Sequence, residues 1–117
     1  HAMKFYNFIT ERGGIVKLAA IEQPKQVWKD TEEALADTLK HEQYITERIY
    51  QLVSLSREET DPATEIFLQW FVNEQVEEES SAEDLISTYK LAGGKGGALY
   101  HMDKELAQRV FVPPTTE

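Results

Sequence analysis

Two long amphipathic segments, joined by a turn of about four residues, constrain the fold of this chain more than any other sequence feature. Residues 31–57 and 62–92 each carry apolar side chains at helical spacing. Asp30 with Glu33 resembles a capping box, and Asp61 with Pro62 combines an N-cap acid with proline at the first helical position. So short a turn, at 58–61, forces the two helices to be antiparallel. The apolar stripes consist of Leu35, Leu39, Ile45, Ile49, Leu52 and Val53 in the first helix, and Phe67, Leu68, Phe71, Ala82, Leu85, Ile86 and Tyr89 in the second.

The remaining segments are shorter and flank this hairpin. Residues 1–12 predict an amphipathic helix that ends at Gly13-Gly14. Residues 15–29 have no helical period and predict a long connection with room for one short strand at 15–18. A glycine cluster ends the second long helix, a fifth helix is expected at 98–109, and the Pro113-Pro114 tail is expected to be mobile.

A hairpin of two helices has no closed core, because each helix leaves much of its apolar stripe in water unless other helices cover it. We therefore expect an all-α protein and, within it, half of a four-helix bundle. The other half would come from a partner chain or from further sequence. His1 stands inside a helical pattern without a cap, which favours further sequence.

Acidic residues outnumber basic residues by 21 to 12 in these 117 residues, which gives a formal charge of −9. Nucleic acid is not an expected partner, because phosphate binding requires a basic face, whereas cations suit an acidic surface. The chain has no cysteine, which excludes disulfides, thiolate metal sites and cysteine nucleophiles. No apolar run is long enough for a membrane span and no signal peptide is recognisable, so we expect a cytoplasmic protein.

Carboxylates interrupt the apolar faces of both long helices. Glu42 lies among the apolar residues of the first helix, and Glu78 and Gln75 lie among those of the second, with Glu74 four residues before Glu78. Measured from Thr60, Glu42 and Glu78 are both about 18 residues away, so each lies roughly 27 Å from the turn. Antiparallel packing then brings the oxygen atoms of Glu42, Gln75 and Glu78 to one level, where they suit a cation such as iron or manganese.

An interpretation without a metal site remains open, because a single glutamate on an apolar face often reaches water at the rim of a bundle. The hairpin would then be a non-catalytic interaction module whose interior glutamates pair with basic residues of partner helices. Glu77 and Glu79 are expected on a solvated face.

The polar residues of the hairpin also resemble those of a known family. The runs His41-Glu42-Gln43, Asn73-Glu74-Gln75-Val76-Glu77-Glu78-Glu79 and Leu99-Tyr100-His101-Met102-Asp103-Lys104-Glu105-Leu106 resemble the non-haem ferritins of bacteria and archaea. The resemblance implies a ferritin-like four-helix bundle in which 1–12 ends the second helix, 15–29 is the crossover, and 31–57, 62–92 and 98–109 are helices three to five. The first helix and most of the second would lie outside this sequence.

The resemblance also implies a function and a set of site residues. Glu42, Gln75 and Glu78 match catalytic residues of a di-iron ferroxidase site, Glu74 and Glu77 match an additional iron site, and His1 matches a histidine ligand. Fe(II), Fe(III) and dioxygen are the implied partners, and iron is the implied metal without haem. The implied assembly is a homo-oligomeric 24-subunit cage that stores ferric mineral. A relative that assembles but has lost oxidation is a further alternative.

Overall fold

The part of the chain that the structure describes folds into four helices, joined by turns and one long connection. The structure, a computed structural model, describes residues 1–94 and 96–110. The helices are α1 (Ala2–Glu11), α2 (Thr31–Glu58), α3 (Pro62–Leu91) and α4 (Gly96–Leu106). The all-α prediction is confirmed within these residues. The Pro113-Pro114 tail lies outside them.

Helices α2 and α3 form the predicted antiparallel hairpin. Asp30 caps α2 by accepting a hydrogen bond from the Glu33 N–H at 2.9 Å, and Asp61 caps α3 by accepting one from the Thr64 N–H at 3.2 Å. Between them, Thr60 adopts a left-handed conformation with φ 54°, and the N–H groups of Thr60 and Asp61 donate to the carbonyls of Arg57 and Ser56. These bonds satisfy the last carbonyls of α2 and reverse the chain within four residues.

The hydrophobic core lies between the two helices of the hairpin, where aromatic side chains of α1 pack against it. Ile49, Leu68 and Phe71 are buried there, and Leu68 is only 1% exposed. Phe5 and Phe8 of α1 pack on the core, with the Phe8 ring stacked on that of Phe67 at a centroid distance of 4.0 Å. Of the apolar stripes expected from the sequence, Ile45, Ile49, Val53, Phe67, Leu68 and Phe71 belong to this core. Leu52, another stripe residue, is 39% exposed.

A bidentate ion pair fixes the end of α1 to the start of α3. The Nη1 and Nη2 atoms of Arg12 donate to the two carboxylate oxygens of Asp61 at 3.1 and 3.0 Å. Asp61 therefore holds α1 in place and caps α3 with the same carboxylate. The hydrogen bonds from the Thr64 hydroxyl and N–H, followed by the Arg12 contact, hold the pKa of Asp61 below its ordinary value.

The connection between α1 and α2 contains neither helix nor strand, so the short strand expected at 15–18 is wrong. Ile15 and Leu18 are 85% and 88% exposed, and a single extended segment has no neighbouring strand with which to share its backbone hydrogen bonds. The far end of the connection is anchored instead by side chains. Lys25 Nζ donates to Glu33 and Asp37 at 2.9 and 2.7 Å, and Trp28 Nε1 donates to Asp37 at 2.9 Å.

The C-terminal helix differs slightly from the prediction. It spans Gly96–Leu106, whereas 98–109 was expected. Gly93 and Gly94, with φ angles of 67° and 63°, lie in the turn after α3, and α4 already begins at Gly96 and includes Gly97. Met102 is buried and fixes α4 on the hairpin. No helix in residues 1–94 and 96–110 combines the length and the apolar character that crossing a membrane requires.

Candidate metal centre

A layer of polar side chains interrupts the apolar interface between α2 and α3. Gln75 is at its centre and is only 6% exposed. Its Nε2 atom donates to the backbone carbonyl of Glu42 at 3.1 Å, to Oε2 of Glu42 at 3.3 Å and to Oγ1 of Thr46 at 3.3 Å. The hairpin therefore brings Glu42 and Gln75 into direct contact. Gln75 lies about one turn nearer to Thr60 than Glu78, the residue that counting places level with Glu42.

A second group of ligand atoms lies on α3 and at the start of the chain. His1, Glu74 and Glu78 each offer one ligand atom, and these three atoms lie within 4.8 Å of one another. Glu74 and Glu78 share one face of α3 because they are four residues apart. His1 comes from a distant part of the sequence, and its Nε2 atom is 3.4 Å from Oε2 of Glu74.

Aromatic packing positions the His1 imidazole over α3. Its ring centroid lies 5.3 Å from that of Trp70 and 6.2 Å from that of Phe71. Phe5, one turn further along α1, packs on Phe71 at 4.4 Å. The aromatic contacts of α1 with α3 therefore place His1 next to the carboxylates of Glu74 and Glu78.

Electrostatics link the two groups at Glu78. Partial burial raises the pKa of the Glu78 carboxyl, and the negative charges of Glu42, Glu74 and Glu77 raise it further. Carboxylates crowded in this way repel one another when ionised. A bound cation would offset that repulsion, so this donor set of carboxylate oxygens and one imidazole nitrogen fits iron or manganese.

The predicted site residues differ in accessibility. Glu42, Glu74 and Glu78 are half-buried, Gln75 is buried, and His1 and Glu77 are exposed. Glu77 is absent from the three-residue group and acts on Glu78 only through its charge. The exposed position agrees with the solvated face expected for Glu77.

The same expectation for Glu79 is wrong. Glu79 is half-buried and its Oε1 atom accepts a hydrogen bond from the Thr46 hydroxyl. The reason is helical spacing, because Glu79 lies one turn after the buried Gln75 and so faces α2. Thr46 is the residue that sequence reasoning missed, although its position one turn after Glu42 marks it as part of the same face.

Comparison with known proteins places this geometry in a family. The family described as Ferritin-like domain matches residues 1–92. The bacterial non-heme ferritin of Staphylococcus aureus (strain USA300) is 40% identical over 111 residues, which are 95% of this chain and 67% of that protein. That of Staphylococcus haemolyticus (strain JCSC1435) has the same identity and coverage.

Solved structures agree in fold and in sequence. An engineered closed form of the Archaeoglobus fulgidus ferritin superposes with a TM-score of 0.93 and 46% identity, over 96% of this chain and 68% of that one. An open-pore ferritin from the same hyperthermophilic archaeon gives a TM-score of 0.92 and 46% identity, over 94% and 68% of the two chains. The resemblance found in the polar motifs is thereby confirmed.

Proposed function

This chain belongs to the family of ferritin-like domains, and we propose that it forms part of an iron-storage protein that oxidises Fe(II). The observation that carries the proposal is the polar layer itself. Glu42 and Gln75 are in contact across the hairpin, and His1, Glu74 and Glu78 gather beside them. In the part of the chain that the structure describes, the ion pairs leave Glu42 and Glu78 without a basic partner, so a cation is the group that would compensate their charge.

In this proposal Glu42 and Glu78 hold Fe(II) between the helices, with Gln75 as a ligand or hydrogen-bond partner. Carboxylates are hard ligands and favour Fe(III) over Fe(II), which lowers the reduction potential of the bound iron. Two Fe(II) ions held there would each lose one electron to a single dioxygen molecule, which with two protons from water would leave as hydrogen peroxide while both ions become Fe(III). Glu74 and Glu77 bind iron that enters or leaves, and His1 adds an imidazole ligand beside Glu74.

Further helices complete the bundle and the coordination. About a third of the length of the curated relatives has no counterpart in this chain, and we propose that α2 and α3 correspond to two of four bundle helices. A homo-oligomeric cage of 24 subunits would enclose the ferric product. The net charge of −9 favours entry of cations and nucleation of mineral on an acidic inner surface.

Anaerobic addition of Fe(II) to the intact protein, followed by air, tests the oxidation. The ferric absorbance should rise quickly in the unaltered protein and should be lost in a Glu42→Ala, Glu78→Ala double variant. A Glu47→Ala, Glu83→Ala variant is the matched control, because it removes the same charge from exposed positions of the same two helices. An unchanged oxidation rate in the first variant would exclude the assignment.

The unfolding midpoint separates this function from that of a non-catalytic interaction module. A protein with a metal site gains stability from the bound ion, by about 2.7 kcal/mol when the free ion is at 100 times its Kd. A helical module whose glutamates only pair with basic residues would show no shift. Size measurement under native conditions tests the cage independently.

A further inference from the structure

Two pairs of side chains form a square across the hairpin beside the candidate iron site. On α2, Glu42 and Thr46 are four residues apart, and on α3, Gln75 and Glu79 are four residues apart, so each pair lies on one helix face. The Thr46 hydroxyl donates to Oε1 of Glu79 and accepts from Nε2 of Gln75. Gln75 in turn donates to the carbonyl and carboxylate oxygens of Glu42.

The chemistry of the four groups gives this network one direction. An ionised Glu79 carboxylate accepts hydrogen bonds and donates none, so it directs the single proton of the Thr46 hydroxyl toward itself. Thr46 then offers only lone pairs to Gln75. The backbone carbonyl of Glu42 is also only an acceptor. The Gln75 amide must therefore direct its N–H₂ group, and not its oxygen, toward both Thr46 and Glu42.

Three acceptors share the two hydrogens of Nε2, and every hydrogen bond of Gln75 described above uses that atom. The carbonyl oxygen, which is the only amide atom that binds a cation, stays outside the network. The bond to Oε2 also restrains the carboxylate of Glu42.

We propose that Thr46 and Glu79 are positioning residues that fix the orientation of the Gln75 amide, so that its oxygen is available to iron and Glu42 is held in place. This inference rests on the proposed function, because it concerns the same iron. Partners of this kind, one step removed from the metal, typically change metal affinity by about 10- to 100-fold when they are lost.

Two variants of the intact protein test the inference with Co(II), added without oxygen, as the probe. Thr46→Val and Glu79→Leu each break the network, and each should weaken Co(II) binding by about tenfold or more and alter its visible absorption spectrum. Fe(II) oxidation should slow in parallel. Thr46→Ser keeps the hydroxyl and should restore both readings. If one of the first two variants fails to fold, the other carries the test.

Thr38→Val is the matched control, since the Thr38 hydroxyl lies on the same helix and bonds only to the Ala34 carbonyl at 3.0 Å. It should bind Co(II) like the unaltered protein. A lower unfolding midpoint in Thr46→Val with unchanged Co(II) affinity and spectrum would show a merely structural role and overturn the inference.

The two proposals fail in different ways. If Glu42→Ala, Glu78→Ala abolishes Co(II) binding while Thr46→Val and Glu79→Leu leave it unchanged, the positioning role is wrong and the site stands. If the unaltered protein binds no Co(II), both are wrong.

Discussion

Replacing Glu78 by glutamine removes one negative charge from the most crowded carboxylate of the polar layer while keeping its shape. Burial and the charges of Glu42, Glu74 and Glu77 raise the pKa of Glu78. At neutral pH the ionised side chain is therefore unfavourable in the metal-free fold. We expect Glu78→Gln to make the metal-free protein more stable and to weaken its response to metal.

The size of the effect follows from the spacing of the ligand atoms. Unit charges 4.8 Å apart, the upper limit for Glu74 and Glu78, repel by about 1 kcal/mol in water and by about 3.5 kcal/mol at an effective dielectric constant of 20. Both side chains are half-buried and partly screened by solvent, so the lower figure applies. A gain of about 1 kcal/mol raises the unfolding midpoint of a domain of this size by about 4 °C.

Thermal unfolding followed by circular dichroism, with and without metal, measures both effects. Without metal at pH 7, Glu78→Gln should unfold at a higher temperature than the unaltered protein. With saturating Co(II), the unaltered protein should unfold at the higher temperature. The pKa of Glu78 is higher in the folded state than in the unfolded state, so its ionisation lowers stability as pH rises through that interval. The advantage of the variant should therefore disappear below about pH 4, where the carboxyl is protonated in both states.

Glu83→Gln, at an exposed position of the same helix, removes the same charge and should change neither midpoint appreciably. If Glu78→Gln were less stable than the unaltered protein without metal, Glu78 would be a favourable structural contact and the repulsion argument would be wrong.

Two further predictions concern the framework around the site. Leu68→Ala should lower the free energy of unfolding measured in urea by about 3 kcal/mol, because the Leu68 side chain is only 1% exposed. Leu91→Ala, at a position that is 90% exposed, should change this free energy little, and equal effects of the two variants would contradict the assigned core. Asp61→Asn should reduce the loss of stability on acidification. The pKa of Asp61 is lowered, first by the Thr64 hydrogen bonds and then by Arg12, so the ionised carboxylate stabilises the fold above about pH 4 and this stability is lost as pH falls toward the folded-state pKa. If the slope of unfolding free energy against pH is the same in Asp61→Asn, this reasoning is wrong.

Local chemistry made the hairpin predictable. The Asp30 and Asp61 caps mark where the helices begin, and the length of the turn decides which residues lie opposite one another. Those two facts predict the depth of the polar layer to within about one turn, because counting places Glu42 level with Glu78 and the observed partner of Glu42 is Gln75.

Other parts of the site depend on contacts that no periodicity records. His1 reaches Glu74 across 73 positions of sequence, and its place depends on how the aromatic residues of α1 pack on α3. Glu79 was assigned to solvent because it belongs to a run of glutamates, although its spacing from Gln75 places it against α2. A run of charged residues predicts high exposure on average, whereas the exposure of each side chain depends on its position around the helix.

The Gln75 amide also has a mechanical consequence for the hairpin. Apolar side chains can repack when two helices slide along each other, but hydrogen bonds of 3.1–3.3 Å tolerate little displacement. Sliding α3 by one turn, about 5.4 Å, would separate Nε2 from all three of its acceptors together. The buried Gln75 amide thus fixes the axial alignment of α2 and α3. The level at which their acidic side chains meet is therefore defined more firmly than packing of apolar side chains alone would define it.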